Sequence, residues 1–126
     1  MTIVLDAGAL IAVERGQQRT TKILAGAAAE GRELVTHAGV VGQVWRGGGR
    51  QARLAMQLES VEVVPLDEEL ARHAGVLLGR AGTSDVIDAA VVLLAQDDDD
   101  WILTSDPDDL VPLAEALGVH IELIPV

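Results

Sequence analysis

Aspartates stand at the points where apolar, strand-like runs give way to helix-like runs in this chain. Asp6 and Asp106 each follow such an apolar run, and Asp85 and Asp88 open a helix-like run with a spacing of three residues. That spacing places the latter two on neighbouring positions of one helical face. Clustered carboxylates repel one another unless a cation neutralises them, and their hard oxygen atoms suit Mg²⁺ or Mn²⁺. The four aspartates therefore predict a divalent-cation site, provided that the fold brings them together.

Capping of helix N-termini is the competing explanation for the same residues. A short carboxylate accepts hydrogen bonds from unpaired N–H groups there, and Asp6, Asp85 and Asp106 all stand where a helix would begin. Pro107 suits the first helical position after Asp106, and Asp109 would complete that cap. Capping does not require charge, however, because Ser, Thr and Asn serve as well. Aspartate at all three junctions therefore favours an acidic pocket over capping alone.

Short apolar runs alternate with longer segments of helical period, and these elements must position the aspartates. The predicted strands are Ile3–Leu5, Glu33–Thr36, Val61–Val64, Trp101–Thr104 and His120–Ile124. The predicted helices are Ala7–Glu14, Arg19–Ala29, Val40–Arg46, Arg50–Leu58, Glu68–Leu78, Asp88–Leu94 and Asp109–Leu117. Strands separated by helices imply crossover connections, and hence an α/β fold with a mostly parallel sheet of about five strands covered by helices on both faces. All strands of such a sheet end at one edge, where the aspartates would meet.

The composition suits this architecture and excludes some classes of site. The chain has 126 residues, of which 49% are hydrophobic, with two Trp and no Phe or Tyr, so the core must be aliphatic. Trp45 and Trp101 are expected to be buried. The absence of cysteine excludes disulfides and thiolate metal sites. No apolar run has the length of a membrane span, so we expect a cytoplasmic protein with no membrane partner.

Charge is distributed unevenly along the chain. The net charge is −11, but residues 1–63 carry seven basic and six acidic residues, whereas residues 64–126 carry two and fourteen. Arg46, Arg50 and Arg53 have the spacing of one helical face, which predicts a phosphate-binding rim, although a solvated arginine face has the same pattern. The run Asp97–Asp100 is expected to form a solvated turn without a catalytic role.

Four segments of the sequence carry a resemblance to a known family: "IVLDAGALIAVERG", "VVGQVWRGG", "DVIDAAVVLLA" and "WILTSDPDDL". From end to end, residues 1–126 resemble a single PIN domain, and within that group the VapC-type ribonuclease toxins of bacterial toxin–antitoxin pairs. Acidic residues at four places in that family bind divalent metal and activate water for phosphodiester hydrolysis. Asp6 matches the first place, Asp88 the third, with Asp85 as a close rival, and Asp106 the fourth.

The second of the four places departs from the family pattern. The family usually has glutamate there, whereas this chain has Gln43, which brings no charge. Either the affinity for metal falls or Asp85 compensates for the missing carboxylate. The departure also leaves open a catalytically weakened module that binds RNA or protein.

The resemblance implies a metal-dependent ribonuclease in which Asp6, Asp88 and Asp106 hold one or two Mg²⁺ or Mn²⁺ ions and Asp85 assists. Thr104 or Ser105, like Gln43, would act from beside the ligands, by orienting a carboxylate or a water molecule. The implied partners are an RNA substrate, a cognate antitoxin protein and a second copy of the chain in a homodimer.

Two other folds with acidic pockets fit the residues less well. A phosphoacceptor receiver domain needs a lysine beside the pocket at a late strand end, and the one lysine here is Lys22, in an early helix. A haloacid-dehalogenase phosphatase needs Asp-x-Asp after the first strand, where this chain has Asp6, Ala7 and Gly8.

Overall fold

A twisted sheet of five parallel strands organises the chain. The computed structural model describes residues 1–126 and has the strands β1 (Thr2–Leu5), β2 (Glu33–His37), β3 (Glu62–Val64), β4 (Trp101–Thr104) and β5 (Glu122–Pro125). Their order across the sheet is β3-β2-β1-β4-β5, and every neighbouring pair is parallel. The predicted α/β fold is thereby confirmed, with a sheet that is parallel throughout.

Seven α-helices connect the strands and cover the sheet. They are α1 (Ala7–Glu14), α2 (Gln18–Ala29), α3 (Ala38–Val44), α4 (Ala52–Leu58), α5 (Glu68–Ala81), α6 (Val86–Leu94) and α7 (Pro107–Leu117), and a 3₁₀ turn at Gly49–Gln51 precedes α4. The helices α2, α3 and α4 pack against α1, and α5, α6 and α7 pack on one another. These two groups of helices form a layer on each face of the sheet. None of these helices has both the length and the apolar character required to cross a membrane.

The centre of the core is β1, whose residues Ile3, Val4 and Leu5 are fully buried. Hydrogen-bonded neighbours on both sides and helices on both faces explain why this strand is a continuous apolar run. The chain leaves β1 toward β2 on one side and returns to it with β4 on the other. The carboxyl ends of β1 and β4 therefore flank the point where the strand order reverses, which is the usual ligand crevice of an open α/β sheet.

Two expectations about burial are wrong. Trp45 is 42% exposed, because α3 ends at Val44 and the backbone of Trp45 is already extended. Asp100 is buried rather than solvated, since its carboxylate accepts hydrogen bonds from the N–H groups of Thr2, Gln96 and Asp97 at 2.9–3.1 Å. This carboxylate therefore ties the start of β1 to the turn before β4.

Trp101 and Arg32 pack together at the edge of the sheet where the strands begin. Trp101 lies in β4, as predicted, and is partly rather than fully buried. The Arg32 guanidinium stacks on its indole ring, with the central carbon 3.9 Å from the ring centroid. This contact lies at the opposite end of β4 from Asp106.

Candidate active site

Asp6 both caps a helix and borders the crevice. It ends β1, and its Oδ1 accepts a hydrogen bond of 3.0 Å from the N–H of Ala9 in the first turn of α1. Burial raises the pKa of Asp6, and hydrogen bonds from the Thr104 hydroxyl and from the N–H groups of Ala9 and Gly8 oppose that shift. Capping engages one oxygen atom, so the structural explanation and a chemical role are compatible in this residue.

Asp106 stands at the N-terminus of α7 but does not cap it. Its side chain accepts no hydrogen bond from the first turn of the helix, which begins with Pro107. Its backbone N–H donates to Thr104 Oγ1 at 3.0 Å, and the Ser105 hydroxyl lies 3.4 Å from its Oδ2. The capping explanation therefore does not account for Asp106, whose carboxylate faces the crevice.

Asp85 and Asp88 divide the two roles at the start of α6. Asp85 is the cap, with its Oδ1 accepting from the N–H of Asp88 at 3.0 Å. The pKa of Asp88 is raised from 3.8 to about 6. Burial is the largest cause, and the negative charge of four neighbouring carboxylates adds to it, those of Asp85, Asp6, Asp109 and Asp106. Asp88 is therefore the residue on which the electrostatic repulsion of the site is concentrated.

These side chains line a single cavity of about 200 Å³ at the carboxyl ends of β1 and β4. Seven residues selected from the sequence lie in its wall: Asp6, Gln43, Asp85, Asp88, Thr104, Ser105 and Asp106. The cavity wall contains five carboxylates and no basic residue. The fold thus brings together side chains from four separated segments of the chain.

The fifth carboxylate of the cavity is Asp109, which sequence reasoning assigned only to capping. Asp109 lies three residues after Asp106, so one turn of α7 carries it toward the same face. That spacing was the available signal. The spacing alone does not identify Asp109 as a site residue, because an acidic residue in the first turn of a helix also complements the helix dipole.

The donor set fits a hard divalent cation by its chemistry, although its arrangement is incomplete. Every charged donor is a carboxylate, and their mutual repulsion would be relieved by a cation. No three acidic or histidine side chains are placed so that they hold one metal ion together. Ligation would therefore require side-chain rotation, and neither Asp88 nor Asp106 is held by a capping hydrogen bond.

Gln43 occupies the remaining wall of the cavity. It lies on α3 one turn after Val40, which also lines the cavity. Because α3 contributes no acidic side chain, its part of the wall carries an amide in place of a charge.

The three arginines do not form the helical face that their spacing predicts. Arg46 lies beyond the end of α3, Arg50 lies in the 3₁₀ turn, and Arg53 alone is in α4. Gly47 and Gly48 between them have φ values of 80° and 96°, which interrupts the helical path.

The arginines also belong to two different surfaces. The Arg46 guanidinium caps the C-terminus of α3, donating to the carbonyl oxygens of Gly42, Gln43 and Trp45 at 2.7–3.3 Å. One of these carbonyls belongs to Gln43, which lines the cavity. Arg53 instead lines a separate groove of about 560 Å³ between α1, α2 and α4.

Comparison with known proteins places this geometry in a family. Two solved structures share the fold: VapBC2 from Rickettsia felis, bound to a DNA fragment from their promoter, and FitAB bound to the IR36 DNA fragment. The first has a TM-score of 0.64 and 13% identity over 98% of both chains. The second has a TM-score of 0.60 and 17% identity over 96% of this chain and 94% of the other.

At these identities the likeness concerns the fold alone. No curated protein matches the sequence significantly. The family model of the PIN domain matches residues 3–114, which span all five aspartates of the cavity. The predicted resemblance is confirmed, and the chain belongs to the PIN domain family.

Proposed function

We propose that this protein is a divalent-metal-dependent ribonuclease of the VapC kind that hydrolyses RNA phosphodiester bonds at the acidic cavity. PIN domains are generally nucleases, which supports a hydrolase. The observation that carries the proposal is the convergence of five carboxylates in one cavity at the switch point of the sheet. The carboxylates of Asp88 and Asp106 cap no helix, so helix capping does not explain why they are present.

In this proposal Asp6, Asp88 and Asp106 hold one or two Mg²⁺ or Mn²⁺ ions, and Asp85 assists. The cation, when bound, supplies positive charge that offsets the phosphate and promotes the ionisation of water. The Thr104 hydroxyl keeps the Asp6 carboxylate in place and accepts from the backbone N–H of Asp106, so one side chain contacts both residues. Ser105 contacts the Asp106 carboxylate and supports the same arrangement.

RNA needs positive charge near a cavity that would otherwise repel it. We assign this role to Arg46, Arg50 and Arg53; the Arg46 guanidinium contacts the backbone carbonyl of Gln43, a residue that lines the cavity. Phosphate contacts of this kind position a strand without reading its sequence.

Cleavage of RNA by matched variants tests the proposal. Structured and unstructured RNA would be incubated with Mg²⁺ or Mn²⁺ and the wild type, Asp6→Asn or Asp67→Asn. Asp67 caps α5 through Leu70 just as Asp6 caps α1, but it lies outside the cavity. Asn preserves both caps, so we expect Asp6→Asn to lose roughly 100-fold in rate and the control to lose nothing. Equal cleavage by the wild type and Asp6→Asn would remove the catalytic proposal.

A catalytically weakened module that binds RNA or protein is the second candidate, and Gln43 favours it. The amide offers one neutral acceptor toward the cavity, where a carboxylate would offer charge and two oxygen atoms. If the protein is a weakened nuclease, Gln43→Glu raises cleavage, because it adds the missing charge and a second ligand oxygen. The two side chains have nearly the same size, so the packing should not change.

Two further variants separate the possible outcomes. If Asp85 already supplies the missing charge, Gln43→Glu changes little and Asp85→Asn is as damaging as Asp88→Asn. If Gln43→Glu remains inactive and Asp85→Asn has no effect, the binding module is the better description.

We also propose a protein partner. By its resemblance to VapC-type toxins, the chain is expected to form a homodimer and to bind a cognate antitoxin that blocks the cavity. The similar folds of VapBC2 and FitAB support the antitoxin partner. Co-expression with the neighbouring gene product, followed by light scattering of the purified complex, tests both associations.

A further inference from the structure

His37 is a fully buried titratable residue that the proposed chemistry does not use. It ends β2, and both of its ring nitrogens are engaged. Nδ1 lies 3.1 Å from the backbone nitrogen of Gly39, and Nε2 lies 3.0 Å from the carbonyl oxygen of Ile87.

These two partners determine the tautomer of the ring. The N–H of Gly39 is a donor, so Nδ1 must accept. The Ile87 carbonyl is an acceptor, so Nε2 must carry the proton. A neutral imidazole with its proton on Nε2 satisfies both contacts, whereas the opposite tautomer satisfies neither.

The ring joins the starts of two helices that line the cavity. Gly39 is in the first turn of α3, which carries Gln43, and Ile87 precedes Asp88 on α6. A Cβ atom on Gly39 would lie 2.6 Å from Ile87 Cδ1 and 2.9 Å from the His37 ring, so the glycine permits this close packing. Ile87 itself lies in the wall of the cavity.

We infer that His37 is a positioning residue for Asp88: its Nε2–H holds the first turn of α6 through the Ile87 carbonyl, and its Nδ1 holds α3 beside it. This inference rests on the proposed function, because the position of Asp88 matters only if Asp88 binds the metal ion. The residue acts through the backbone of its neighbours and contacts no substrate.

Two substitutions test the contributions of the two ring nitrogens separately. The amide nitrogen of His37→Gln reaches about as far as Nε2 and keeps the bond to Ile87. The amide oxygen of His37→Asn takes the place of Nδ1 and keeps the cap on α3, but no side-chain donor then reaches the Ile87 carbonyl. His73→Gln, on the exposed surface of α5, is the control.

The readout is the rise in melting temperature that Mn²⁺ produces, measured relative to each variant in EDTA, together with RNA cleavage. We expect His37→Gln and the control to keep most of the rise, and His37→Asn to bind Mn²⁺ about 10–100-fold more weakly. A merely structural role would lower the melting temperature in EDTA and leave the rise unchanged. An equal rise in both His37 variants, or its equal loss in both, overturns the inference.

The outcome is distinguishable from a failure of the proposed function. If the wild type itself ignores Mn²⁺, the metal site is absent and the role of His37 falls with it. If the wild type responds, ¹⁵N chemical shifts of the His37 ring decide the geometry independently. They should show a protonated Nε2 and an unprotonated Nδ1, and the reverse pattern contradicts the inference even in an active nuclease.

Discussion

At the scale of single residues, the site consists of carboxylates that destabilise one another. The effect is largest at Asp88, whose pKa is raised to about 6 by burial and by the surrounding negative charge. Its protonated form is favoured in the folded state, so the stability contributed by that form is full below pH 3.8 and is lost as the pH rises through about 6. A residue that makes folding less favourable near neutrality is most simply explained by a function.

Asp88→Asn should therefore stabilise the metal-free protein near neutral pH. We expect a gain of roughly 1 kcal/mol in the free energy of unfolding, after allowing for the partial exposure of the carboxyl group to solvent. The gain should vanish only well below the unfolded pKa of 3.8, at about pH 3, where the wild-type side chain is protonated in both states. Urea unfolding in EDTA at both pH values measures it, with Asp67→Asn as the control. A gain that is the same at both pH values would contradict the electrostatic explanation.

At the scale of elements, the start of α1 packs against the junction of β4 and α7. A Cβ atom on Gly8 would overlap the Ser105 side chain and come within 2.9 Å of its backbone nitrogen. Asp6 and Asp106 are therefore held at their separation by a contact that only glycine allows. The two elements approach each other closely because this position has no side chain.

Gly8→Ala should push the two elements apart. We expect a loss of about 1–3 kcal/mol in the free energy of unfolding and a weaker response to Mn²⁺. Gly26→Ala in α2, where the added atom meets nothing within 4 Å, is the control and should stabilise by about 0.5–1 kcal/mol. The double variant Gly8→Ala, Ser105→Gly should recover part of the loss. No recovery, with a normal Mn²⁺ response in Gly8→Ala, would show that this contact does not set the site.

The elements themselves were largely predictable, because their signals are local. Apolar periodicity and strand composition located five strands and seven helices, with boundaries that moved by a few residues. The start of α4 moved from Arg50 to Ala52, because Gly49–Gln51 form a 3₁₀ turn before it. The convergence of Asp6, Asp88 and Asp106 also followed from topology, because parallel strands all end at one edge.

The features that sequence reasoning missed depend on contacts between distant segments. Gln51 is an example: it is buried, accepts from the N–H groups of Arg46 and Gly47, and donates to Val44 O at 2.8 Å and to Glu14. One side chain thus holds the glycine loop against both α3 and α1. Nothing in the local pattern distinguishes such a glutamine from one on the surface, and the same is true of Asp100.

At the scale of the whole molecule, charge separates along the chain. Residues 64–126 contain fourteen acidic residues and two basic ones, so an RNA strand is repelled by most of that half. The basic residues lie mainly in residues 1–63: directly after α1, on α2, before β2, in the loop and 3₁₀ turn after α3, and on α4. The strand is therefore expected to approach the cavity from the side of α3 rather than from that of α7.

This asymmetry makes a quantitative prediction about binding. Replacing Arg46, Arg50 and Arg53 together by Gln should weaken RNA binding. It should also make the negative slope of log K against log salt shallower by about 2, because fewer counterions are released. Measurements in Ca²⁺, or on the Asp6→Asn variant, would prevent cleavage during the titration. The control is the pair Arg72→Gln and Arg80→Gln on α5, which should leave the slope unchanged.

The structure sharpens the prediction by separating the three arginines. Arg46 caps α3 beside the cavity, whereas Arg53 lines the groove between α1, α2 and α4. We therefore expect Arg46→Gln with Arg50→Gln to account for most of the change in slope, and Arg53→Gln alone for little of it. A slope that does not respond to the triple variant would assign these arginines to a solvated surface. A slope that responds to Arg53→Gln alone would mean that RNA contacts the groove between α1, α2 and α4, and would contradict an approach from the side of α3.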